Sequence, residues 1–108
     1  MPSTTLARGN MLLEMVLSVT LTPSSVAANT FSTQTFALPG ALATDLIGIE
    51  NANQQIANII VQSAWVSAAG VGVVQFMNVS AAAVTPSSGT YIVNLMRPEY
   101  IPLPANLA

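Results

Sequence analysis

The sequence predicts an all-β fold: a single small antiparallel β-sandwich, jelly-roll-like or Ig-like, with about six strands and extended N- and C-terminal arms. Three observations lead there. Turn-forming residues cluster at regular intervals, at Pro23-Ser24-Ser25, Pro39-Gly40, Asn51-Ala52-Asn53, Ala69-Gly70-Val71-Gly72 and Pro86-Ser87-Ser88-Gly89. The runs between them are short and rich in β-branched and aromatic residues. Finally, a chain of 108 residues hides roughly 65% of its extended surface on folding, enough for one core and too little for two. The expected organisation is an arm at 1–12, a sandwich domain at 13–97 and a Pro-rich arm at 98–108.

The first strand is expected at 14–22, with Met15, Leu17, Val19 and Leu21 on one side and Ser18, Thr20 and Thr22 on the other. Arg8, the run 11–21 and Val26-Ala27-Ala28 imitate the three parts of a secretory signal. Glu14 inside that run, and its strict alternation, favour a strand. A second strand is expected at 30–38, where Phe31 is out of phase with Phe36 and Leu38. Either a bulge restores the phase or Phe31 precedes the strand.

The third strand, 45–50, places Ile47 and Ile49 inward with Asp45 at its mouth; the fourth, 58–66, places Ile59, Val61 and Trp65 inward. The fifth is expected at 73–79. The sixth, 90–97, buries Tyr91, Val93 and Leu95. The string Thr-Pro-Ser-Ser occurs at 22–25 and again at 85–88, read as one turn chemistry used twice.

The opposite faces are apolar as well: Ile60, Ala64, Val66, Val74, Ile92 and Met96 fall there by parity. Strands that are apolar on both sides are usually covered on both sides, and six strands leave little chain to do the covering. The C-terminal arm adds Tyr100, Ile101 and Leu103 on a segment stiffened by proline. A partner interface is therefore expected at Ile60, Val66, Val74, Ile92, Met96, Tyr100, Ile101 and Leu103.

Composition excludes much chemistry. There is no Cys, His or Lys, which removes thiolate nucleophiles, the commonest general base, Schiff bases and zinc–sulfur sites. With two cations, Arg8 and Arg97, and a pI near 4.4, no nucleic-acid partner is expected. Mean hydropathy is +0.61, but Asn58, Gln62, Ser63, Gln75, Asn78, Gly70 and Gly72 interrupt any apolar span, so no membrane helix is expected.

The carboxylates are Glu14, Asp45, Glu50 and Glu99. Asp45 and Glu50 have opposite parity and lie roughly 16 Å apart along one strand, which prevents acid–base pairing. Asp45 instead fits a turn cap. Asp45, Glu50 and Asn51 or Asn53 lack the regular carboxylate spacing of calcium loops. Asn78-Val79-Ser80 matches a glycosylation sequon and is read as chance. The expectation is a non-enzyme with no cofactor and no metal.

Other residues carry a likeness. Val19-Thr20-Leu21, then 23–30, Phe36-Ala37-Leu38-Pro39-Gly40 and Asp45, followed by 66–70, Phe76-Met77-Asn78 and 84–91, resemble small bacteriophage virion proteins. The likeness spans roughly 16–97, departs at 51–55 and contains no catalytic signature. It implies a capsid cement or decoration subunit on the outer surface of a phage head, a homo-oligomer with a trimer favoured, bound to the major capsid protein. The alternative is a tail or head-fibre module that binds host surface glycans, for which an exposed aromatic platform is required.

Overall fold

A computed structural model describes residues 10–51 and 57–99. Six strands form: β1 (Met11–Leu21), β2 (Thr30–Ala37), β3 (Leu46–Asn51), β4 (Ile59–Ala68), β5 (Val71–Asn78) and β6 (Gly89–Pro98). They pair antiparallel in two three-stranded sheets, ordered β1-β6-β3 and β2-β5-β4, and no helix occurs among the described residues. The all-β sandwich follows from the alternation. β1 begins three residues earlier than the sequence suggests, with Leu12 as an extra residue between the pairs Met11–Pro98 and Leu13–Arg97. The arm segments 1–9 and 100–108, with Tyr100, Ile101 and Leu103, lie outside the described residues.

The core is built from the inward faces of both sheets. Tyr91, Val93, Leu95 and Ile49 come from one; Ile59, Val66, Val74 and Phe76 come from the other. Phe76 and Tyr91, each central in its sheet, meet edge to face with ring centroids 6.1 Å apart. The Tyr91 hydroxyl donates to the Ser87 carbonyl at 2.6 Å, which fixes the entry into β6.

Only β4 and β5 form a hairpin, through Ala69-Gly70 with Gly70 at φ 78°. Every other connection crosses between sheets. Two of those crossings travel together. Leu21 pairs with Gly89, Val26 bridges Val84 through backbone bonds of 2.8 and 3.0 Å, and the two Thr-Pro-Ser-Ser strings lie opposite each other between these points. Both prolines, Pro23 and Pro86, are buried. The repeated string is thus a matched pair of corners at one end of the sandwich.

Asn78 locks that end. Wholly buried, it donates from Nδ2 to the carbonyls of Val26 (3.0 Å) and Ala82 (2.8 Å), and its Oδ1 accepts from the Ser80 N–H and hydroxyl. Its amide is fully engaged, so the sequon at 78–80 presents no accessible nitrogen in the folded chain.

Candidate interaction surface

The clearest departure from the expected parity is in β4. Ile59 pairs with Asn78 and Val61 with Phe76, after which the register shifts and Ser63 pairs with Gln75. Gln62 is the extra residue of a β-bulge, and one inserted residue reverses the facing of all that follow. Ala64 and Val66 therefore turn inward, Val66 being 6% exposed, while Trp65 turns outward at 40% exposure. Trp65 is not core packing. Val66 and Val74 do not lie on an outer face; Val74 is 0% exposed, because β5 is the central strand and Val74 pairs with Ala64 on the inner side.

β2 needs no bulge. It pairs with β5 residue by residue from Thr30–Asn78 to Ala37–Val71, so Phe31 is out of phase with Phe36 because it belongs to the outer face, where it is 54% exposed. Registers across three strands then define that face. One row is Phe31, Met77 and Ile60; the next is Thr33, Gln75 and Ser63; the third is Thr35, Val73 and Trp65. Ile60, on the expected list, is 51% exposed here.

Ile92 and Met96 are half-buried on the outer face of the other sheet, where Ile92 lies between Ser18 and Glu50 and Met96 between Glu14 and Leu46. The expected interface is therefore split over two opposite faces. Phe31, Met77 and Trp65 were missed. The adjacent polar pair Gln62-Ser63 inside an apolar run was the one available sign of a bulge.

The faces differ electrically. Every charged side chain among the described residues, Glu14, Asp45, Glu50, Arg97 and Glu99, belongs to β1, β3, β6 or the segments beside them. The β2-β5-β4 sheet has none.

Asp45 closes the mouth of β3, as a cap and as more. Its Oδ2 accepts from the Leu42 N–H at 2.8 Å, the capping bond expected from sequence. It also forms a two-bond fork with Arg97, Nε to Oδ1 at 2.8 Å and Nη2 to Oδ2 at 2.7 Å, and Nη2 reaches the Gly40 carbonyl at 3.1 Å. The hydrogen bond from Arg97, then the Leu42 N–H, holds the Asp45 carboxyl below its usual range against an opposing desolvation effect. Both carboxylate oxygens are occupied. The pair fastens the β2–β3 loop to the end of β6, and no group of three or more metal-ligating side chains forms among the described residues.

A groove of about 370 Å³ opens along the opposite side, where the edges of β1 and β2 face each other without pairing. Leu17, Val19, Phe36 and Leu38 line it. Phe36 lies directly over Gly72, where a Cβ would collide with the ring.

No protein-family model matches this chain, and no curated protein or solved structure matches it.

Proposed function

We propose that this chain is a structural adhesion subunit, a cement or decoration protein on the outer surface of a phage head, which docks on neighbouring shell subunits through the outer face of the β2-β5-β4 sheet. The observation that carries this reading is the uncharged outer face with Phe31, Ile60 and Trp65 exposed. Interfaces of lasting assemblies are depleted in charge and rich in aromatic and aliphatic side chains. Three strands spaced ~4.8 Å apart and eight residues long give a face of about 400 Å². Mating two such faces hides about 800 Å², less than the ~1,200 Å² of a stable pairwise complex. The face therefore suits a contact repeated around a closed ring or a shell, where many weak contacts act together.

The test has two parts. Light scattering on the eluting full chain is expected to give a multiple of 11.2 kDa, and Ile60→Lys is expected to shift it toward the monomer. Purified heads are expected to bind the wild-type chain and not the variant. A monomer that ignores heads overturns the reading.

Trp65 favours a second reading, glycan recognition by a fibre module. It is exposed beside Val73, with Thr35 at the far end of the same row, and hydroxyl and amide groups from Thr33, Gln75 and Ser63 lie in the next row. Glycan-array binding abolished by Trp65→Ala would select it.

A further inference from the structure

We propose that the groove between β1 and β2 receives the C-terminal segment 100–105 of a second copy of this chain, added as an extra strand along the free edge of β1. The inference is independent of the outer face of the β2-β5-β4 sheet. Among the described residues no strand pairs with the outer edge of β1, so alternate residues there direct N–H and C=O groups away from β6. Beneath that edge the groove is apolar, with Leu17, Val19 and Phe36 half-buried and Leu38 buried. An added strand would satisfy the edge and cover these side chains together.

The segment Tyr100-Ile101-Pro102-Leu103-Pro104-Ala105 has the pattern such a strand requires. In extended chain, residues of one parity send their backbone groups to the same side. Pro102 and Pro104 therefore remove donors from one side only, while Ile101, Leu103 and Ala105 keep theirs on the other. The same three residues share one face, which supplies two large apolar side chains to the groove. A segment of this kind adds to an edge once and leaves only the Tyr100 N–H as a donor for a further strand, so pairing beyond it is disfavoured.

Geometry selects a second copy over the chain's own tail. The Glu99 N–H donates to the Asn10 carbonyl at 2.6 Å, which places the start of the tail at the Met11 end of β1. The groove begins at Leu17, six residues or ~20 Å further along, and β6 runs toward the Met11 end, away from it. Ile101 and Leu103 reach at most about 7 and 14 Å from Glu99. Spans that short do not cover the distance from Glu99 to Leu17.

The absence of cysteine makes the test direct. Full-length Val19→Cys and Leu103→Cys proteins, prepared separately and mixed under mild oxidation, are expected to form disulfide-linked dimers. The yield is expected to be about tenfold above a mixture of Leu103→Cys with Val79→Cys, an exposed control beyond the far end of the second sheet. Adding Ile101→Asp to the Leu103→Cys chain is expected to abolish the excess, whereas adding Ile60→Lys leaves it unchanged and so separates this contact from the outer sheet face. Equal yields with the control overturn the proposal. So does a chain with both cysteines that closes only within itself.

Discussion

At the scale of single residues, the polar groups that matter are few and each is tied to a loop. Truncating Asn78 to Ala removes four hydrogen bonds, each contributing about 1 kcal/mol, while the Val26 carbonyl keeps the Val84 N–H and the Ala82 carbonyl keeps the Ser80 hydroxyl. A loss of about 3 kcal/mol is expected in urea unfolding followed by the fluorescence of the single Trp, at position 65. Tyr91→Phe removes one hydrogen bond and keeps the ring, so about 1 kcal/mol is expected. Asp45 carries a pH signature. Its carboxyl titrates lower in the folded chain than in the unfolded one, where the ordinary value is 3.8, so its contribution is present above that value and fades as pH falls through the folded pKa. Arg97→Ala is expected to lower the urea midpoint at pH 7 and to flatten its dependence on pH below about 4. The cap role of Asp45 was legible because its oxygen reaches three residues back along the chain; the fork with Arg97 spans 52 residues, and no local pattern encodes it.

At the scale of elements, the strands were legible and one facing was not. Alternation located all six within a few residues because each strand buries one side. β6 matched residue for residue: Tyr91, Val93 and Leu95 are buried as the pattern requires. β4 failed at Gln62, since an inserted residue leaves composition unchanged while reversing Ala64, Trp65 and Val66. The error propagated into the candidate interface, which lost Val66 to the core and omitted Trp65. Close approach in the second sheet gives a further prediction. Gly72→Ala sets a methyl against the Phe36 ring, with an expected cost of about 1–3 kcal/mol. The double variant with Phe36→Leu should recover much of it, measured as a coupling energy in a double-mutant cycle.

For the whole molecule, connectivity and charge dominate. Four of the five connections cross between sheets, so native contacts join distant parts of the chain. Folding is expected in milliseconds to seconds, as for other two-sheet proteins, and stopped-flow refolding would show it. Among the described residues, charge lies on one sheet and its loops, which leaves the outer face of the other sheet uncharged. That asymmetry could not be read before the sheets were known, because β2, β4 and β5 are not consecutive and only the strand order brings their uncharged residues together.

Asn10 and Glu99 meet side by side, so both ends of the domain leave from one corner on adjacent antiparallel strands. Tension applied between the two ends would peel β1 from β6 one hydrogen bond at a time, whereas strands pulled lengthwise past each other must break many at once. A single molecule held in optical tweezers by its termini should open at low force. Resistance to tension along that line would have to come from contacts made elsewhere on the domain.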